Sequence, residues 1–140
     1  MCLELETCIS KIAQEDIPCY KIVACDIHTE PKKWYTPYYI TELSEEQLNG
    51  KCPLYSNDIF PDFMFITKDN EVHGGAIHTY KYEFNALDDV KFAYSPSWKT
   101  ELETHVFRCI IPKGTIYAEG IYGLCQGYAS KQIIFKEKIL

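Results

Sequence analysis

The sequence predicts a single α+β domain: a bent, mostly antiparallel sheet carrying one to three short helices. Three observations predict it. Segments rich in Ile, Val, Thr, Tyr and Phe recur along the chain, while helix-like segments are few and do not alternate with them regularly. Glycine and proline punctuate those segments, at Gly74-Gly75, Pro112-Lys113-Gly114, Gly120, Gly123 and Gly127. A length of 140 residues suits one domain with a real core, and no repeat, low-complexity tract or linker divides it.

In chain order, Ile9, Ile12 and Ala13 have helical spacing and predict a short N-terminal helix, ended by Pro18. Cys19 to Cys25 is β-rich and reads as a central strand. His28 to Lys33 is a polar loop, and Pro37 limits the aromatic run Trp34 to Ile40 to a sheet edge or an ordered loop. Ser44 can cap a helical turn over Glu45 to Leu48 that Asn49-Gly50 closes. Cys52 to Pro61 reads as a loop and Phe63 to Thr67 as a strand. Val72 to Tyr82 is a glycine-marked strand, and Phe84, Leu87, Val90 and Phe92 suit a short helix that Ser95-Pro96-Ser97 breaks. Thr104 to Ile111, Thr115 to Ile121 and Ser130 to Lys136 alternate as three antiparallel strands, the first two joined tightly through Pro112-Lys113-Gly114.

Composition excludes some functions. A net charge of −6 argues against nonspecific nucleic-acid binding, which needs a cationic surface to displace phosphate counterions. Of 14 basic residues only Arg108 is an arginine, a skew typical of AT-rich coding genomes, and it leaves one side chain able to fork onto a phosphate or carboxylate. Seven cysteines occur without a CxxC pair or zinc-like spacing, so a reducing cytoplasm is expected, with no disulfide framework and no metal. The N-terminus is no signal peptide, and no apolar run is long enough to cross a membrane; a soluble, cytoplasmic protein is expected.

Candidate ligand contacts come from residues with both area and a polar handle. His78 and Tyr80, two apart on a strand, share one sheet face and can bond and stack on a ring-shaped ligand. Trp34 and Tyr38 offer further aromatic surface, Lys21 and Arg108 can meet an anion, and Ser130 at a strand start can bond a phosphate or cap its own turn. No phosphate-binding loop, dinucleotide fingerprint, His-Glu-x-x-His or Gly-x-Ser-x-Gly motif is present, so no catalytic residue and no cofactor is expected.

Taken together, Tyr20-Lys21, Thr36-Pro37-Tyr38, Gly75 to Tyr80, Cys109 to Tyr117 and Tyr128 to Ile134 resemble a group of small uncharacterised proteins of phages and gut bacteria, marked by a G-F-H-T/S strand and an I-P-K-G-T-x-Y hairpin. The likeness spans nearly the whole chain. A more distant resemblance is to the ADP-ribosyltransferase-like fold, with Tyr20-Lys21 in the place of its first-strand His or Arg, and Gly75 to Thr79 with Ala86 in the place of its second strand and helix. The late strand, Ser130 to Phe135, lacks the catalytic Glu of that superfamily; Gln132 is the nearest polar residue. This resemblance implies a nucleotide cleft without the transferase chemistry.

Three functions follow as expectations. The first is a non-catalytic binding protein for a small nucleotide-like or ADP-ribose-like ligand, in a phage setting a sponge for a defence second messenger. The second is an accessory protein that binds a host protein without a small ligand. The third is an ADP-ribosyltransferase-like enzyme. Self-association into a homo-oligomer stays open.

Overall fold

The β-rich segment around Ile22 becomes the strand on which the rest of the sheet is hung. The computed structural model describes residues 4–5, 11–36, 42–56, 76–90 and 102–140. Its strands are β1 (Glu4–Leu5), β2 (Lys11–Ile12), β3 (Ile17–Asp26), β4 (Lys33–Tyr35), β5 (Glu42–Leu43), β6 (Leu54–Tyr55), β7 (Ile77–Tyr80), β8 (Leu102–Ile111), β9 (Ile116–Tyr122), β10 (Cys125–Ser130) and β11 (Gln132–Lys138). Two helices, α1 (Glu45–Leu48) and α2 (Glu83–Asp89), complete the described elements. The strands form one antiparallel sheet in the order β1-β9-β10-β7-β3-β8-β11-β6, not closed into a barrel, with β2 beside β9 and the pair β4-β5 attached to β3. The architecture is therefore mainly β, and the helices are accessories to the sheet.

The alternation of β3 explains its two faces. Ile17, Cys19, Val23 and the cross-strand residues Phe107, Cys109 and Ile111 of β8 belong to one interior cluster, closed by Leu43, Leu54, Ile77, Tyr128, Ile133 and Phe135. Ile22 and Val106 face the other way, where Ala86 and Val90 of α2 cover them. α1 follows from its predicted cap: the Gln47 amide donates to Ser44 Oγ (3.2 Å) and the Ser44 amide donates to Gln47 Oε1 (2.9 Å), a reciprocal capping box. It ends at Gly50, whose φ of 76° suits glycine and where a Cβ would lie 2.5 Å from the Phe135 carbonyl oxygen.

Four expectations are corrected. Where an N-terminal helix was expected, the described residues form β1 and β2 on the edge of β9. Ile12 is exposed and Ala13 buried, so the helical pattern offers little apolar face, and a short helix without packing is marginal in water. Backbone bonds to the 114–115 turn hold Ala13 instead (Ala13 N to Thr115 O 2.9 Å, Gly114 N to Ala13 O 2.8 Å). Second, Pro112-Lys113-Gly114 is no hairpin: β8 and β9 are separated in the sheet by β3, β7 and β10. The turn, closed by the Thr115 amide on the Pro112 carbonyl (3.1 Å) with Gly114 at φ 88°, carries the chain from one part of the sheet to another. Third, Gly120 and Gly127, expected to punctuate strands, oppose each other inside the β9–β10 ladder, and β10 pairs with both β9 and β7. Fourth, Leu54–Tyr55, inside an expected loop, pairs with β11. The expected strand Phe63 to Thr67, the Gly74-Gly75 pair and the break at Ser95-Pro96-Ser97 lie outside the described residues.

Candidate functional site

The two edges of β3 are unlike. Along one, all ten residues from Ile17 to Asp26 are registered against β8. Along the other, β7 is registered only at Tyr20↔Tyr80, and β4 takes over at Ala24↔Tyr35, Cys25↔Trp34 and Asp26↔Lys33. Residues 21–23 therefore sit in a fork between two partner strands. Continuing the β7 register past Tyr20 would set Lys21 against Thr79 and Ile22 against His78, but no pair is registered there.

Lys21 occupies this fork. It is only 9% exposed and shares the interior face with Cys19 and Val23. Its Nζ donates to the His78 carbonyl oxygen at 2.9 Å, a side-chain bond from β3 to β7. Burial pushes the Lys21 amine down from 10.5 to about 8, because a charge removed from water is disfavoured; the nearby Cys109 and Cys19 thiols oppose the shift. Among the described residues no carboxylate pairs with it.

Other polar groups share the face. Thr79 is 1% exposed, and its hydroxyl finds no oxygen or nitrogen partner among the described residues, with only the weakly polar Cys19 thiol beside it. Tyr128 is the register partner of Thr79 on β10, and Glu119 the partner of Tyr128 on β9, so all three project to one side. Burial pushes the Tyr128 phenol up to about 12, with the Glu119 charge adding to it. Glu119 is engaged by Lys81 at 2.7 Å, a half-exposed pair that holds the Lys81 ammonium above its ordinary range. Ser130, fully buried two residues beyond Tyr128, donates to the Gln132 carbonyl oxygen at 3.2 Å, the turn-capping role.

The remaining candidates are dispersed: Trp34 shares the interior face of Lys21, while His78, Tyr80 and Arg108 do not. His78 and Tyr80 do share a face, but it is the opposite one from Thr79 and Lys21: Ala129, the register partner of His78, lies with Ala76 and Ala118, and Tyr80 packs there and against the α2 cluster. His78 Nδ1 lies 2.9 Å from the Ala76 carbonyl oxygen, and a carbonyl can only accept, so Nδ1 carries the hydrogen. Burial first, then the Lys21 charge, pushes the His78 imidazole down to about 4. Trp34 lies opposite Cys25, four residues along β3 from Lys21, and packs on the same interior face. Its ring meets His105 (5.1 Å between centroids) and the edge of Phe107 (6.0 Å). Arg108 is exposed and pairs with Glu137 at 2.9 Å. Tyr38 lies outside the described residues.

Sequence reasoning thus found Lys21 but missed Thr79, Tyr128 and Glu119. Strand parity in the sequence separates Thr79 from His78 and Tyr80; the Tyr20↔Tyr80 register, which the sequence does not carry, adds Lys21 to the Thr79 face. Chemically, a buried ammonium with hydroxyls on the same face suits an anion. Among the described residues no cluster of His, Cys, Asp and Glu is fit to hold a metal ion, and no helix is long and apolar enough to cross a membrane. Comparison with protein families, with curated proteins and with solved structures returns no match.

Proposed function

We propose that the protein binds a small anionic ligand of the nucleotide or ADP-ribose type and does not transform it, which in a phage would sequester a defence second messenger. One observation carries this reading: Lys21 buries its ammonium on the sheet interior with no carboxylate partner among the described residues. An uncompensated buried charge costs several kcal/mol, and a bound phosphate would offset that cost. The Thr79 hydroxyl on the same face supports the reading, as a donor that a phosphate oxygen can accept from. The ligand class comes from the resemblance of the sequence, and the assignment of binding without turnover from the engagement of Glu119 by Lys81.

Isothermal titration against cyclic nucleotides and ADP-ribose derivatives tests it. The expected result is saturable binding of at least one, weakened tenfold or more, about 1.4 kcal/mol, by Lys21→Met. Absence of binding to every member of the panel overturns it.

A second reading, docking on a host protein, rests on a different observation. Tyr82 and Phe84 stack on each other at 5.6 Å at the start of α2 while remaining 42% and 67% exposed. Pull-down from host lysate with wild type and the double variant Tyr82→Ser, Phe84→Ser separates the two: a partner lost in that variant but kept by Lys21→Met favours docking.

A further inference from the structure

We propose that Cys19 and Cys109 are a latent dithiol that closes to a disulfide across β3 and β8 when a peroxide reaches them. The two residues are register partners in the β3–β8 ladder, so both side chains leave the sheet on the same face. Both are fully buried in the interior cluster, and both are free thiols. Opposed residues of an antiparallel pair have Cα atoms about 4.5–5.5 Å apart, inside the span of about 4.4–6.8 Å that a disulfide accepts. Their Cβ atoms begin about 4.5–5.5 Å apart and must close to about 3.8 Å, a movement of roughly 1 Å. Among the described residues no other two cysteines are opposed: Cys25 faces Glu103 and Cys125 faces Tyr122.

The chemistry balances with the peroxide as oxidant. One thiolate attacks the O–O bond, gives up two electrons and becomes a sulfenic acid, and one water is released. The second thiol attacks that sulfur, the S–S bond forms and a second water leaves. Burial makes the first step slow. It pushes the Cys19 thiol up to about 12 and Cys109 well above its ordinary range, so both stay protonated while the sheet is closed. The reaction then waits on local opening of the ladder. Lys21, two residues from Cys19 on the same face, is the neighbouring cation that favours the thiolate once it forms.

The inference does not depend on the ligand reading, and peptide mapping tests it on the unaltered protein. Folded protein is treated with hydrogen peroxide, remaining thiols are alkylated, and the digest is mapped without reduction. The expected product is a Cys19–Cys109 linked pair, two hydrogens lighter than the reduced peptides, formed faster in urea below the unfolding transition. Cys52 and Cys125, both partly exposed, report general oxidation. If they oxidise while Cys19 and Cys109 can still be alkylated after unfolding, the proposal fails; it fails equally if either buried thiol is found linked to another cysteine. Cys19→Ser must abolish the linked species. Mapping of the unaltered protein decides the matter even where that variant does not fold.

Discussion

β3 presents one edge to β8 without interruption and shares the other between β7 and β4, and the two edges bury different chemistry. Beside the continuous ladder the interior is largely apolar: Val23, Phe107, Ile111, Ile133 and Phe135 pack with the Cys19 and Cys109 thiols, and Lys21 borders them opposite Phe107. Beside the fork it holds an ammonium and a hydroxyl, and the Lys21 amine donates to the His78 carbonyl. A continuous ladder satisfies its own hydrogen bonds and asks only for apolar packing. A fork releases backbone groups that must be met by side chains, so it is where polar groups can be buried and where a ligand can find them.

The largest expected effect tests the ladder side. Phe135 is fully buried, its ring against Phe107 at 5.4 Å, and Phe135→Ala should cost about 3–5 kcal/mol in urea unfolding. Lys21→Met should fall well short of that. It removes the bond from the amine to the His78 carbonyl, a loss of up to about 1–3 kcal/mol, but it also removes a buried charge, which offsets much of the loss. If both variants cost the same, the amine is a structural staple and the contrast between the two edges collapses.

The next effect is read by pH and belongs to the fork. The folded-state pKa of His78 is about 4, below its ordinary 6.5, so between these values the unfolded chain binds more protons. Stability is therefore present above pH 6.5 and is lost as pH falls through 4, by about 3 kcal/mol, and His78→Gln should remove most of that loss. Lys21 acts on the alkaline side. Its pKa is depressed from 10.5 to about 8, so its contribution improves as pH rises between those values. The buried cysteines oppose it: Cys19 is raised from 9.0 to about 12, so folding resists its ionisation and loses stability above pH 9. The difference in unfolding free energy between wild type and Lys21→Met cancels the groups that Lys21 does not touch, and wild type should gain on the variant from pH 8 to 10.5. A difference that stays flat would mean the amine is not desolvated.

How much of this was legible follows the same division. β3, α1 and α2 could be read because their signals are local: a β-rich run at Cys19 to Cys25, a Ser44 cap, an apolar spacing after Glu83. The β8–β9 connection was misread because Pro-Lys-Gly specifies a turn and not which strands flank it in the sheet. β10 was missed because glycine hides a strand whose stability comes from two partners. Lys21 was visible as a cation on a strand, but its burial depends on His78, 57 residues away in sequence. His78 and Tyr80 were rightly placed on one face, and only the Tyr20↔Tyr80 register shows that it is not the face of Lys21.

A smaller effect sharpens the assignment of the fork. Thr79→Val keeps the shape and deletes a buried hydroxyl that bonds no oxygen or nitrogen among the described residues, so it should stabilise the protein by about 1 kcal/mol in thermal or urea unfolding. The same variant should weaken ligand binding, because the hydroxyl faces the side on which Lys21 lies. A residue that costs stability but aids binding is the signature of a site; a loss of stability in Thr79→Val would instead place the hydroxyl in a structural bond.

The smallest effect tests the outer face of the ladder. Arg108 opposes Tyr20 across β3–β8 and pairs with Glu137 at 2.9 Å, but both side chains are about half exposed, at 49% and 52%. Water and salt screen such a pair, so Arg108→Ala should change stability by less than about 0.5 kcal/mol, and a double-mutant cycle with Glu137→Ala should give a coupling of similar size. Arg108 is also the sole arginine of the chain, the residue that sequence alone would choose for gripping a phosphate. The interior site predicts that Arg108→Ala leaves nucleotide affinity unchanged in the titration that Lys21→Met impairs. If the order reverses, the anion is held on the exposed face of the β8–β11 pair, and the buried amine in the fork belongs to the fold alone.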